Sequence, residues 1–343
     1  MKAVILPEHG PPENLRYVTD FPLPEPGPGE IRVRVRAASL NRLDLWVREG
    51  WPGLKLEMPH ILGADAAGEV DAWGEGVTGW AVGDRVVVDP SVSCGMCEYC
   101  RAGRQNLCDH FAILGEHVRG TNAEFVVVSA RNLLRLPDHV AYKDAAAAGL
   151  VYLTAWHSLI TRGRLRPGEQ VLVVGAGGGV NTASIQIAHL AGAKVYVVGS
   201  TDEKLARAES LGADVLINRS KEDWSKAVYK ATGRQGVDVV VDNVGQATMF
   251  GSIRAVRKGG RILIVGNTSG PKFELDIRYL FSKQISLVGS TMAPHADFVQ
   301  VMNLVFAGRL KPVIGAELPL EDVAEGHRML EVGDVFGKVV FLS

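Results

Sequence analysis

The chain has no apolar run approaching the roughly 20 residues that a bilayer-spanning helix requires. It has no internal repeat, which removes repeat architectures. Nothing of biased composition exceeds the short Pro/Gly-rich run at residues 24–30, too short for a linker. Charge of one sign is lacking as well: 37 Lys and Arg stand against 38 Asp and Glu, a net charge of −1, which implies no surface for nucleic acid or anionic membrane. The N-terminus lacks the apolar core and cleavage site of a secretory signal, so a soluble, cytoplasmic enzyme-like protein is expected. Cysteine is scarce, and all four, Cys94, Cys97, Cys100 and Cys108, fall within fifteen residues. In a reducing compartment that clustering points to a metal and not to a disulfide framework.

What is present suffices for two domains: 343 residues, 47% hydrophobic. Residues 1–140 read as short β segments separated by turns. Ile31–Ala37 alternates strictly, and Ala67–Ala72, Arg85–Val88 and Ala123–Val128 are further strands. After about Tyr142 the pattern changes to short apolar strands alternating with helices. Strands are expected at Val171–Val174, Lys194–Val198, Val215–Asn218, Val237–Val241, Arg261–Val265 and Ile285–Gly289. The helices between them are expected at Val180–Leu190, Asp202–Leu211, 221–232 and 247–256, with another at 298–307. This alternation predicts right-handed βαβ units on a doubly wound parallel sheet. A helix at Leu320–Leu330 and a strand at Lys338–Leu342 follow, and periodicity alone does not place them.

The first strand of that series runs directly into Gly175-Ala176-Gly177-Gly178-Gly179-Val180-Asn181 and then a helix. Glycines permit positive φ and close approach of a pyrophosphate, and the helix N-terminus supplies N–H donors. Asn181 stands where a third small residue is common. At the end of the second strand, NAD enzymes usually carry an acid for the ribose hydroxyls. Here the tip is Gly199-Ser200, and Asp202 comes late, reading as the N-cap of the next helix. A small tip with Ser200, Lys204 and Arg219 nearby favours NADP(H) over NAD(H), against the alternative that both cations are simply solvated.

The spacing Cys94-x2-Cys97-x2-Cys100-x7-Cys108 predicts one closed tetrahedral zinc site per chain, structural because four thiolates leave no open position. Iron–sulfur ligation or metal-free thiols are the alternatives. Gly95 and Gly103 suit the tight backbone, and Arg101 and Arg104 are candidates to offset the site's negative charge.

Together these motifs resemble the medium-chain dehydrogenase/reductase superfamily over essentially the whole chain. The resemblance implies an α/β protein: a Rossmann doubly wound parallel sheet at 146–307, and a β-rich GroES-like catalytic domain at 1–145 with 308–343. It also implies a small-molecule substrate and a homodimer or homotetramer, formed through Ile285–Gly289. Thr154, Arg42, Lys338, Asn243 and Gly266 match positions near the cofactor. The catalytic-zinc ligands of the alcohol-oxidising branch do not carry over. Their positions hold Asn41, Ala64 (in Gly63-Ala64-Asp65) and, on or beside it, Leu150, and none of these groups replaces thiolate or imidazole. The relay hydroxyl position is Leu43.

Asn41 with the stretch from Leu62 to Val70 is more similar to the quinone oxidoreductase branch, which usually lacks the cysteine lobe. The expected reaction is therefore hydride transfer from NAD(P)H to a quinone or an activated C=C or carbonyl compound, whose charge a few hydrogen bonds can hold. Asn41 is the expected polar contact. Asp44 and Asp65 are candidate acids for which a structural role is an equal alternative. Trp46 and Trp51 replace expected tyrosines, and His60, His117 and His157 have no visible partners. Trailing alternatives are an alcohol dehydrogenase with a rearranged metal site and a non-catalytic NADPH-binding protein.

Overall fold

The computed structural model describes residues 1–343. The chain packs as two units, Met1–Leu153 with Ala293–Ser343, and Thr154–Met292. These bounds differ from the expected ones. The first division falls inside helix Tyr142–Trp156, so residue 145 is no boundary, and helix His295–Phe306 goes with the first unit. The helix runs on through Gly149 because Ala145–Ala148 are fully buried, strong helix formers and no proline interrupts it before Trp156.

The second unit is a six-stranded, all-parallel sheet. Its order is Val215–Asn218, Lys194–Gly199, Gln170–Val174, Val237–Asp242, Val256–Ile264 and Ser286–Gly289. Its central strands are valine-rich and buried on both faces, as parallel strands covered by helices must be. Chain order reverses direction at Gln170–Val174, the switch point outside which such sheets bind ligands. The glycine loop leaves from that strand.

In the first unit the main sheet runs Leu133–Arg135, Arg85–Val88, Asp65–Trp73, Glu30–Ser39, Lys338–Leu342 and Ile314–Pro319, with Phe125–Ser129 also paired to Glu30–Ser39. The C-terminal strand thus returns to the first unit, placing the tail that periodicity left open. It runs antiparallel to Glu30–Ser39 with Val340 opposite Ser39, and Ser39 in turn lies opposite Asp65. Helix Val323–Val332 packs near helix Arg42–Glu49. The fully buried Arg48 joins them, donating to Gly10 O at 2.9 Å and to Glu331 at 2.5 Å, with Nη1 3.4 Å from His327 Nδ1.

Candidate active site

The register of the C-terminal strand decides the site. Continued past its last pair with Ser39, it sets Lys338 across from Asn41, and the side chains meet: Lys338 Nζ donates to Asn41 Oδ1 at 2.5 Å and to Asp65 Oδ2 at 3.2 Å. Asp65 Oδ2 also accepts Asn41 Nδ2 and Ser39 Oγ, each at 2.9 Å, and Asp65 Oδ1 accepts the Leu150 N–H at 2.6 Å. Gly149 makes this last approach possible, since a Cβ there would lie 2.2 Å from Asp65 Oδ1. Asp65 is fully buried, and Lys338 is 4% exposed, with burial pulling its ammonium pKa below the ordinary value. Asn41, Asp65 and Leu150, read from sequence at or beside the positions matched to the family's catalytic-zinc ligands, therefore converge on one hydrogen-bonded ion pair. Lys338, expected near the cofactor, points into this pair.

Asp44 sits one layer away. Its carboxylate accepts the N–H of Asn41 at 2.7 Å, closing the first turn of helix Arg42–Glu49, and that of Gly63 at 2.9 Å. Burial pushes its pKa up to about 6, against those two N–H donors. Both oxygens are occupied by backbone, so Asp44 fixes the positions of Asn41 and Gly63. Arg42 opens the same helix, half-buried, and burial lowers its pKa.

In the second unit the glycine loop is shaped by Asn181. Its Nδ2 donates to Val174 O at 3.0 Å and its Oδ1 accepts from Asn243 Nδ2 at 3.0 Å. A Cβ at Gly175 (φ +121°) would lie 2.7 Å from Asn181 Nδ2, and one at Gly178 would lie 2.8 Å from Asn181 Oδ1. The residue that departs from the small-residue pattern is thus what ties the loop to two strand ends. Gly178 caps the helix that begins Gly179-Val180, whose first N–H groups have no intrahelical acceptor. Gly266 lies against the Asn243 backbone, where a Cβ would be 3.0 Å from its carbonyl oxygen. Thr154 Oγ1 is buried with no partner. Free N–H groups at a glycine-lined helix start, with an orphaned hydroxyl in the same unit, fit a dinucleotide.

At the strand tip Ser200 is half-buried and its carbonyl accepts Ser220 Oγ at 2.8 Å. The helix cap is Thr201, whose hydroxyl accepts the Lys204 N–H; Asp202, read from sequence as the cap, is instead the first helical residue. Asp202 is paired with Lys221 Nζ at 2.6 Å and Asn218 Nδ2 at 2.7 Å, and the lysine holds its carboxyl below the ordinary range. Arg219 is exposed, its backbone N–H bound to Gly199 O.

The four cysteines form the one group of three or more His, Cys, Asp or Glu side chains arranged to hold a metal, their Sγ atoms all within 4.8 Å of one another. Cys94 Sγ lies 3.9 Å from Cys100 Sγ and 3.5 Å from Cys108 Sγ, near the edge of about 3.8 Å of a tetrahedron with Zn–S bonds of about 2.3 Å. Backbone N–H groups of Met96 and Cys97 point at Cys94 Sγ, at 3.5 and 3.4 Å, and pull its thiol pKa down to about 6. The donor set fits a thiophilic ion. A further arginine, Arg131, also reaches the lobe. Arg104 lies over the Tyr99 ring, whereas Arg131 packs against Gly95 and donates to Ser93 O. Of the single histidines, His60 Nε2 lies 3.1 Å from Gly115 O, its pKa lowered by burial, and His117 Nδ1 accepts the Ile113 N–H. His157 is buried.

Residues 27–138 match the alcohol dehydrogenase GroES-like domain, and residues 179–307 match the zinc-binding dehydrogenase domain. The chain belongs to the medium-chain dehydrogenase/reductase superfamily of NAD(P)-dependent oxidoreductases. It is 31% identical to an acryloyl-coenzyme A reductase of Metallosphaera sedula, over the whole of both chains. It is 30% identical to the quinone oxidoreductase of Homo sapiens, over 100% of this chain and 98% of the relative. The crystal structure of an NAD-dependent alcohol dehydrogenase superposes with a TM-score of 0.96 at 48% identity, covering 100% of both chains.

Proposed function

We propose that the protein reduces quinones or activated C=C or carbonyl compounds with NAD(P)H, without a catalytic metal. The observation that carries this reading is the saturation of Asp65. Its oxygens take four donors from Asn41, Ser39, Lys338 and Leu150, and two of these, Asn41 and Leu150, stand at positions matched to the ligands of the alcohol-oxidising branch. An aliphatic alkoxide has no strong stabiliser in such a set. A delocalised enolate or quinol oxygen needs only one or two hydrogen bonds, which the remaining N–H groups of Asn41 and Lys338 can supply. When bound, the nicotinamide supplies the hydride. Relatives named as quinone and acryloyl-coenzyme A reductases support the same acceptor chemistry.

NADP(H) is the favoured nucleotide. The strand tip carries Ser200 where an acid would be expected, the nearest carboxylate is neutralised by Lys221, and Arg219 is exposed beside it. Zinc, one per chain, is the expected occupant of the cysteine lobe. The oligomer is a homodimer or homotetramer through the open edge strand Ser286–Gly289. The exposed Phe250, Ile277 and Phe281 in the same unit support this reading.

Alcohol oxidation is the second reading, favoured by the 48% identity to an NAD-dependent alcohol dehydrogenase. Zinc content and acceptor specificity separate the two. About one zinc per chain, with chelator-insensitive oxidation of NADPH by 1,4-benzoquinone, is expected. About two zincs, with alcohol oxidation abolished by chelation and restored by zinc, would overturn the proposal in favour of the second reading.

A further inference from the structure

A histidine–aspartate pair in the first unit has no part in the network around Asp65, yet the sheet brings it to the same end. Strands Asp65–Trp73 and Arg85–Val88 pair with Ala67 opposite Val87 and Gly68 opposite Val86. Counted on along that register, Asp89 falls opposite Asp65, one strand spacing of about 5 Å away. Helix His295–Phe306 begins over this point, and His295 Nδ1 lies 2.8 Å from Asp89 Oδ2.

The pair is built as an oriented donor. The Asp89 side chain is 2% exposed, and its other oxygen accepts the Ser91 N–H at 3.0 Å. Its backbone is held on both sides by Asn132: the Asp89 N–H donates to Asn132 O at 2.7 Å, and Asn132 Nδ2 donates to Asp89 O at 2.9 Å. The imidazole, 36% exposed, stacks on Phe298 with ring centroids 6.1 Å apart. Its Nε2 has no protein partner. A buried carboxylate that fixes one ring nitrogen and leaves the other open is the arrangement that general acid–base catalysis uses.

We propose that His295, oriented by Asp89, is the proton donor that completes reduction of a polarised C=C bond. The inference rests on the reductase reading above and names the proton source which that reading lacks. Hydride adds to the β-carbon of an α,β-unsaturated carbonyl compound, and the π electrons move onto the carbonyl oxygen as an enolate. The enolate then collapses and its α-carbon takes a proton from the Nε2–H of the imidazolium, leaving neutral imidazole that solvent reprotonates. The balance is one acceptor, one NAD(P)H and one proton giving the saturated carbonyl compound and NAD(P)+.

The test uses the full-length, zinc-replete protein and 2-methylcyclohex-2-enone, whose α-carbon becomes a stereocentre. The wild type is expected to give one enantiomer in excess. His295→Gln is expected to lose rate by about 10²-fold and to give racemic product, with nucleotide binding changed by less than about twofold. Added imidazole is expected to restore part of the rate of His295→Ala, which a packing role would not allow. Unchanged enantiomeric excess in His295→Gln, with wild-type reduction of both the enone and 1,4-benzoquinone, would overturn the dyad alone. If the wild type reduces neither acceptor, the reductase reading fails and the dyad with it.

Discussion

Replacing Lys338 by methionine removes an ammonium of similar shape from the most buried ion pair in the molecule. Asp65 would keep three neutral donors, from Asn41, Ser39 and the Leu150 backbone, but would lose its only counter-charge, and Asn41 Oδ1 would lose its 2.5 Å partner. Breaking a buried pair on one side costs about 3–5 kcal/mol, because a charge stays behind without compensation. In a unit of this size about 1 kcal/mol moves the midpoint by 2–4 °C, so Lys338→Met should unfold about 6–20 °C below the wild type. Asp65→Asn should also destabilise, since it strands the ammonium. The double variant removes both charges and should recover about 2–3 kcal/mol relative to the sum of the single losses. Thermal unfolding of the zinc-replete protein, followed by circular dichroism, measures all three. Additive effects, or a Lys338→Met midpoint within about 2 °C of the wild type, would show that the pair is not the coupled, buried unit described here.

His327 is fully buried with Nε2 unpartnered, and burial followed by the charge of Arg48 pushes its pKa down to about 3. The unfolded chain takes up that proton below about pH 6.5 while the folded chain refuses it, so stability falls between about pH 6.5 and 3, by about 1.4 kcal/mol per pH unit. His327→Gln should flatten the profile of unfolding free energy from urea titrations between about pH 6.5 and 5.5 by about 1 kcal/mol, and an unchanged slope would refute the assignment. Cys97→Ser should lower zinc from about one per chain towards zero, with loss of stability, as read by atomic emission after dialysis; full zinc retention would sink the four-cysteine site. Asn181→Ala should weaken nucleotide binding by about tenfold, because two hydrogen bonds fixing the glycine loop are lost. Fluorescence titration checks this, and unchanged affinity would mean the loop holds its shape unaided.

Almost every strand and helix of the second unit is legible in the sequence. Buried parallel strands read as uninterrupted valine runs such as Val171–Val174 and Val237–Val241, and Gly175 to Gly179 punctuates the first turn. The cysteine lobe is legible for the same reason: its ligands are local, within fifteen residues. Helices Arg42–Glu49 and Tyr142–Trp156 are not legible. The first has its apolar residues clustered with arginines and a tryptophan, and the second is a run of alanines buried all round, which gives no amphipathic period.

Residue identity was enough to show that the thiolate-and-imidazole ligand set of the alcohol-oxidising branch is not repeated at Asn41, Ala64 and Leu150. What stands in its place came from the assembled fold. Asn41 meets Lys338 across 297 residues, Asp65 meets the Leu150 N–H across 85, and Asp89 meets His295 across 206. The register of the returning C-terminal strand sets the first encounter, and helices Tyr142–Trp156 and His295–Phe306 packed on the sheet set the other two. Register depends on which whole faces become buried together, a property of the assembled sheet that no local spacing carries.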